Sequence, residues 1–362
     1  MYCDFFSGIE QEQKEAYLEA VLKEMEMRRT YLQGETIETI YFGGGTPSQL
    51  AASDLGRIFE AVYRLFEVIP DAEITLEANP DDMSPEYIAS LRSLPVNRIS
   101  MGVQSFDDED LHFLGRRHNS KQVKQAIACC KENGYTNISI DLIYGIPGQT
   151  TLCWEKNLEE AVRMDVQHLS AYHLTYEKGT PLHNLMEKEL VQAVDEDASV
   201  EMFNLLMDYL ANAGYEHYEI SNFAKPGWVS RHNSSYWLGK KYLGIGPSAH
   251  SYDSQNREWN ISSLPKYMKG ILDASPFVER EAAGGYNEYV MTGLRTRWGI
   301  NLPFLSTKFG SEAYHYCLKQ AERFLQTGLL YREGDILTLT RKGLFVSDSV
   351  ISTLFKVDSY TK

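Results

Sequence analysis

The sequence lacks long apolar runs and an excess of basic residues. Its 362 residues contain no run of about eighteen uncharged apolar residues and no basic stretch followed by an apolar one at the N-terminus, so we expect neither a membrane-spanning helix nor a signal peptide. Lys and Arg number 35 against 50 Asp and Glu, a net charge of −15. Such a chain repels nucleic-acid phosphates and anionic lipid surfaces. We therefore expect a cytoplasmic protein with no nucleic-acid partner, no integral membrane segment and at most a transient membrane association.

Cysteine is also scarce. The five cysteines are an odd number and lack the spacing of a zinc site or of a secreted disulfide framework. In the cytosol they would be reduced thiols. Four of them are expected to pack as small residues on helices, namely Cys129, Cys130, Cys153 and Cys317.

Short β-rich runs alternate with helical stretches through the first two thirds of the chain. The predicted strands cover residues 36–42, 73–78, 98–103, 137–144 and 168–174, and the predicted helices cover 11–33, 52–66, 85–94, 120–133 and 152–163. Successive strands begin about 25 to 40 residues apart, which suits right-handed βαβ units. The sequence therefore predicts an α/β fold with a parallel sheet or barrel.

Each predicted strand ends in polar or glycine-rich residues instead of a plain turn. The ends read GGGTP at 43–47, EANP at 77–80, GVQS at 102–105, DLIYG at 141–145 and YHLT at 172–175. Any one of these could be a structural turn. In parallel α/β barrels, however, the carboxyl ends of the strands build the active site, so five such ends in series predict one shared site.

The character of the chain changes near Tyr215. Residues 215–252 hold eight aromatic side chains in 38 positions, together with three histidines, a composition that suits either a flat apolar ligand or an aromatic core layer. Residues 328–340 read as strand, Gly-Asp turn and strand, followed by a helix, a pattern compatible with a winged helix. No basic cluster accompanies it, which favours packing or partner docking over DNA binding. We predict a barrel over 1–214, an aromatic-rich extension over 215–283 and a C-terminal helical and winged domain over 284–362.

With these strand ends, Cys3-Asp4-Phe5 resembles the radical S-adenosylmethionine (SAM) superfamily, in the group that contains oxygen-independent coproporphyrinogen III oxidases and HemW haem chaperones. The resemblance covers nearly the whole chain and implies a partial TIM-like (β/α)6 barrel. Members carry C-x3-C-x2-C after the first strand, and this chain matches only the end of that motif. Cys3 would be one of three ligands of a 4Fe-4S cluster, with the other two ligands and the first strand missing. We expect an N-terminal truncation, the rival explanation being a homologue that has lost its cluster.

The resemblance also implies the SAM contacts. The glycine-rich turn would let backbone groups approach SAM, and the carboxylate, amide and guanidinium groups at the later strand ends would bind its charged and hydroxyl groups. The implied SAM-binding residues are Tyr2, Gly44, Gly45, Thr46, Glu77, Gln104, Arg116, Asp141 and Thr175. No catalytic residue is assigned.

Two features separate the branches of the group. Phe5 stands where the oxidases carry a further cysteine, and residues 232–237 read HNSSYW, matching the HNxxYW motif of the chaperone branch. His232 could ligate haem iron while Tyr236 and Trp237 stack on the macrocycle, or it could be a structural histidine; His250 is the second candidate ligand. The resemblance thus implies a haem carrier that serves acceptor haemoproteins. The alternatives are a coproporphyrinogen III oxidase, which cleaves SAM to decarboxylate its substrate, and a scaffold without a cluster.

Overall fold

The computed structural model describes residues 13–356, which form two compact units. The first unit contains residues 13–18, 36–217 and 221–232. The second unit contains residues 19–35, 218–220 and 233–356. Residues 19–35 therefore associate with a part of the chain some two hundred positions away. The predicted domain boundaries at 214/215 and 283/284 stay predictions.

Strands and helices alternate along the first unit and become shorter and more irregular in the second. The strands are β1 Ile37–Phe42, β2 Val68–Ala78, β3 Arg98–Gln104, β4 Asn137–Tyr144, β5 His168–His173, β6 Glu216–Glu219, β7 Asn222–Ala224, β8 His250–Tyr252, β9 Asn256–Asn260, β10 Val278–Ala282, β11 Ile300–Asn301, β12 Leu330–Glu333 and β13 Ile336–Leu339. The helices are α1 Lys14–Arg28, α2 Ala52–Leu65, α3 Pro85–Leu91, α4 Asp108–Phe113, α5 Ser120–Glu132, α6 Thr151–Arg163, α7 Pro181–Glu187, α8 Glu196–Asn212, α9 Arg231–Trp237, α10 Leu264–Leu272, α11 Tyr286–Leu294, α12 Leu302–Phe309, α13 Ser311–Gln326, α14 Arg341–Phe345 and α15 Ser347–Leu354.

A seven-stranded sheet in the order β1-β2-β3-β4-β5-β7-β6 curls into a partial barrel. Its first five strands are parallel and β7 is antiparallel to β5. Helices connect the parallel strands, as right-handed crossovers require. The predicted α/β class and partial barrel are confirmed.

The two faces of this sheet differ in polarity. Apolar side chains on one face are fully buried, as in Leu76, Ile99 and Ile140. The alternate positions, which lie on the opposite face because side chains in a strand alternate with period two, are polar and also buried: Thr75, Arg98, Ser100, Ser139, His168 and Ser170. We call this polar surface the inner face. It is a lining suited to polar ligands rather than a packed apolar core.

The second unit contains two small antiparallel sheets, in the orders β10-β9-β8 and β11-β13-β12. Around the latter, α11 to α13 and α15 build an apolar core that includes Val290, Leu302, Cys317 and Val350. Glu333 pairs with Ile336 across the predicted Gly-Asp turn. The C-terminal region is thus helical with a small strand pair, as predicted.

A buried carboxylate organises the other half of the second unit. Glu24 on α1 is fully buried and accepts hydrogen bonds from the Gly246 backbone N–H at 2.8 Å, from Asn260 Nδ2 at 2.7 Å and from the Tyr267 hydroxyl at 2.5 Å. Arg28, one turn further along α1, donates to Glu258 Oε2 at 2.7 Å. These contacts attach the β8–β9 hairpin and the loop before it to α1.

Within the described range 13–356, no helix has both the length and the apolarity to cross a bilayer.

We predict that Glu24→Ala lowers the free energy of unfolding by about 3 to 5 kcal/mol, because it leaves the three buried donors of Gly246, Asn260 and Tyr267 without this acceptor. Urea denaturation followed by circular dichroism measures the loss. The exposed Glu322→Ala on α13 is the matched control and should change stability by less than about 0.5 kcal/mol. Equal, small changes in the two variants would contradict the role given to Glu24.

Candidate functional site

The carboxyl ends of β1 to β5 lie at one edge of the sheet, since the five strands are parallel. The glycine-rich turn follows β1 there. Gly44 and Gly45 have φ of +75° and +62°, a region that side chains with a Cβ rarely adopt. At Gly43 an added Cβ would collide with the Tyr41 ring and the Glu77 carboxylate. Glycine is therefore needed for the backbone to pass this close to the edge.

Glu77 is the hydrogen-bonding centre of this edge. Its Oε1 accepts from the Tyr41 hydroxyl at 2.7 Å, and its Oε2 accepts from the Gly44 N–H at 3.1 Å. Burial, followed by the negative charge and hydrogen bond of Glu77, holds the pKa of Tyr41 well above its usual range. Tyr41 therefore stays a donor, and Glu77 is fixed between β1 and the turn.

A second group surrounds Gly102 on β3. Arg116 Nη2 donates to Asn79 Oδ1 at 2.6 Å and to the Gly102 carbonyl at 3.0 Å. Gln104 has φ of +69°, and the β3–β4 pairing slips between Gly102 and Gln104. A Cβ at Gly102 would lie 3.0 Å from Gln104 Nε2 and 3.2 Å from Arg116 Nη2. The irregular strand end thus brings a primary amide and a guanidinium to one point.

Asp141 lies on β4, next to these groups. It pairs with Gly102 on β3 and with Ser170 on β5. Burial raises its pKa to about 6; a hydrogen bond with Ser170 opposes the rise, and the charge of Glu77 adds to it. Glu77 and Asp141 are therefore close enough to interact electrostatically. A ligand that brings a positive charge to this edge would favour ionised Asp141.

The remaining predicted SAM residues are less clustered. Thr46 begins the short helical turn Pro47–Gln49, and Thr175 is exposed, two residues after β5. Tyr2 and Cys3 lie outside the described residues. Among residues 13–356 there is no group of three or more His, Cys, Asp or Glu side chains that could hold a metal ion.

The donor set at this edge fits SAM in its chemistry. Two carboxylates suit an ammonium group and ribose hydroxyls, a guanidinium suits a carboxylate, and the side chain of Gln104 offers both a donor and an acceptor. The turn at Gly43 to Gly45 leaves backbone groups open to close approach.

His232 belongs to the first unit and packs against β1. Its Nδ1 lies 2.9 Å from Thr39 Oγ1, and its ring stacks on Tyr41 with a centroid distance of 4.5 Å and an interplanar angle of 15°. Its backbone N–H donates to the buried carboxylate of Glu73 at 2.9 Å. Burial, together with the charge of Arg98, lowers the pKa of His232 to about 4. The imidazole is therefore neutral, and one of its faces is covered by Tyr41.

The other predicted haem residues belong to the second unit. Tyr236 is 41% exposed and meets Tyr242 edge-on at 4.7 Å, while Trp237 lies 5.4 Å from the Arg295 guanidinium. His250 is exposed on β8 and lies 6.0 Å from the Trp259 ring. The motif HNSSYW thus contributes to both units, with His232 in one and its aromatic residues in the other.

Sequence reasoning missed three residues of the first unit. Asn79 holds Arg116, and Glu73 accepts from the backbone N–H groups of the first two residues of α9. Arg98 is buried on the inner face with neither Nε nor Nη1 bonded to any described residue. A charged residue inside a predicted strand was a visible signal for Glu73 and Arg98. Asn79 lies in the strand end EANP at 77–80, but the resemblance implied no SAM contact for it.

Comparisons with known proteins identify the family of the chain. The radical SAM superfamily profile matches residues 1–161, and the HemN C-terminal domain profile matches residues 285–346. Proteins named heme chaperone HemW are 34% identical in Lactococcus lactis and 32% identical in Bacillus subtilis. The alignments cover 96% of this chain in both cases, and 92% and 94% of those proteins. The chain belongs to the HemW family.

Another HemW-named relative, from Mycobacterium tuberculosis, is 33% identical, with 98% of this chain and 90% of the relative covered. The solved structure of coproporphyrinogen III oxidase HemN from Escherichia coli has a TM-score of 0.82. It is 20% identical, and the match covers 98% of this chain and 86% of that one. This HemW-family chain therefore shares the HemN fold.

We predict that Asp141→Asn gains stability relative to the unsubstituted protein as the pH rises from about 4 to 6, by up to about 3 kcal/mol. The native carboxyl retains its proton in this range because its pKa is about 6 against an ordinary 3.8, while the unfolded chain releases it. The unsubstituted protein therefore loses stability as the pH rises, and the amide removes that loss.

Urea unfolding at pH 4, 5, 6 and 7 measures this difference. The exposed Asp273→Asn serves as the control and should show no such trend. A stability difference for Asp141→Asn that stays constant with pH would contradict the prediction.

Proposed function

We propose that this protein binds haem and delivers it to acceptor haemoproteins. The observation that carries the proposal is the near full-length similarity, at 32 to 34% identity, to proteins named heme chaperone HemW. Phe5 and the HNSSYW motif support the same branch. The net charge of −15 argues against nucleic acid as the cargo or partner, and we propose the cytoplasm as the place of action.

We further propose that SAM binds at the carboxyl edge of the parallel strands. Glu77, Gln104, Arg116 and Asp141 would hold its polar groups, and the turn at Gly44 to Thr46 would accept its methionine moiety. A 4Fe-4S cluster, with Cys3 as one ligand, would supply redox chemistry next to SAM. Within the chaperone proposal, cluster and SAM modulate the transfer of haem.

The alternative function is that of an oxygen-independent coproporphyrinogen III oxidase. The fold shared with HemN keeps this alternative open, although a likeness at 20% identity concerns the fold alone. Phe5, where the oxidases carry a cysteine, counts against it. The two functions differ in an assayable way, because only the oxidase decarboxylates its porphyrinogen.

We predict that titrating the purified chain with haem gives a saturating Soret shift near one equivalent, and that an apo-haemoprotein then takes up the bound haem. Absorption spectroscopy follows both steps. The control is an anaerobic incubation with coproporphyrinogen III, SAM and a reductant, which should give no decarboxylated product. A chain that binds no haem specifically but forms that product would establish the oxidase instead.

We predict that Tyr41→Phe weakens SAM binding roughly fivefold to tenfold, about 1 to 1.4 kcal/mol. The substitution keeps the ring but removes the hydroxyl that holds Glu77 Oε1, so that the carboxylate is no longer fixed. Isothermal titration calorimetry with SAM measures the change in Kd. Tyr63→Phe, on the exposed side of α2, is the matched control; the same Kd for both variants would remove Tyr41 and Glu77 from the SAM site.

A further inference from the structure

The sheet β10-β9-β8 of the second unit has one packed face and one open face. Ser251 and Asn260 are buried on the packed face, where Asn260 donates to Glu24. His250 pairs with Trp259, and Tyr252 pairs with Arg257 on the opposite face. We call this the open face, because His250 there is exposed and Trp259 and Arg257 are partly exposed. Tyr252 on the same face is buried, so the exposed part of this face is the end that carries His250 and Trp259.

The backbone that carries His250 is firmly held. The Asn260 N–H donates to the Ala249 carbonyl at 3.0 Å, and the Ala249 N–H donates to the Gly246 carbonyl at 3.2 Å. Gly246 in turn donates to Glu24. A Cβ at Gly244 would overlap the His250 carbonyl oxygen, so the loop from 244 to 250 is packed against itself. His250 is therefore an exposed side chain on a fixed backbone, the arrangement that a preorganised binding group requires.

The ring of His250 is exposed, whereas the ring of His232 is packed against β1. The His250 side chain is exposed, with Trp259 as its ring neighbour, and partial desolvation, aided by the charge of Arg257, lowers its pKa below the ordinary value. A neutral imidazole has a lone pair for a metal. His232 has Nδ1 at Thr39 and one ring face on Tyr41.

Aromatic surface lies beside His250. Trp259 is its cross-strand neighbour, with ring centroids 6.0 Å apart, and is partly exposed; Tyr252, further along the same face, is buried, with the Tyr242 ring 6.1 Å from its own. A macrocycle bound through its iron needs flat apolar area next to the ligand. Of the other exposed histidines, His112 and His315 stand on helices, and His173 at the end of β5 has its Nε2 3.1 Å from Ser199 Oγ.

We propose that His250 is the protein ligand of the haem iron and that Trp259 provides contact area for the macrocycle, while His232 positions Tyr41 beneath the carboxyl edge of the first unit. This inference rests on the proposed haem-carrier function and assigns its iron ligand. Haem bound in this way leaves His232 in its contacts with Thr39 and Tyr41.

The test compares ferric haem complexes of the full chain by absorption and electron paramagnetic resonance spectroscopy. His250→Ala should abolish the spectrum of histidine-ligated iron and weaken haem binding by roughly tenfold or more. His250→Gly should regain that spectrum when free imidazole is added, which also shows that the variant is folded. His315→Ala, an exposed histidine of the same unit, is the matched control and should behave like the unsubstituted chain.

His232→Ala decides between the two histidines of the haem prediction. We expect it to keep the ligated spectrum and to weaken SAM binding through Tyr41. Loss of the spectrum in His232→Ala, or an unchanged spectrum in His250→Ala, would overturn the assignment. If the unsubstituted chain binds no haem, the proposed function itself fails; if it binds haem and His250→Ala keeps the spectrum, only the present inference fails.

Discussion

The hydrogen bond from the Tyr41 hydroxyl to Glu77 is the contact on which the candidate SAM site depends. It joins β1 to β2 at their carboxyl ends, and the second oxygen of Glu77 fixes the glycine-rich turn through Gly44. The other side of the Tyr41 ring supports His232, which Thr39 and Glu73 also hold. A displacement of His232 would therefore reach Gly44 through three contacts, by way of Tyr41 and Glu77. This coupling is short because each of these residues touches the next.

The polar inner face contributes less to the stability of the first unit than an apolar face would. A sheet face lined by hydroxyls, imidazoles and carboxylates gains less from burial than an apolar one, and Arg98 adds a buried guanidinium whose Nε and Nη1 are bonded to none of residues 13–356. The apolar face toward the helices, with Leu76, Ile99 and Ile140, compensates. The fold thus separates the two tasks: one face of each strand stabilises the unit, and the other is kept for polar chemistry.

The sequence predicted the parallel strands well because their alternation is local. Their ends were also visible, since glycines at 43–45 and the polar residues Glu77 and Gln104 break the apolar pattern within a few positions. The start of β2 at Val68, earlier than predicted, was hidden by Pro70 and Asp71. Contacts between positions that are distant in the chain could not be predicted from the sequence. Glu73 meets His232 159 residues further along the chain, and Glu24 meets Asn260 236 residues further along. Such pairings depend on tertiary packing, which leaves no periodic signal in one sequence.

The two histidines show how environment decides a role that residue type alone leaves open. Both imidazoles are neutral near pH 7, because burial lowers the pKa of each, so protonation does not separate them. Access does. The His232 ring is desolvated among Thr39, Tyr41 and its other neighbours, so a macrocycle bound at its Nε2 would displace packed contacts, whereas His250 is exposed on its fixed hairpin. Since binding energy is lost whenever existing contacts must first be broken, the exposed histidine on the rigid loop is the better ligand, and the packed histidine is the better support.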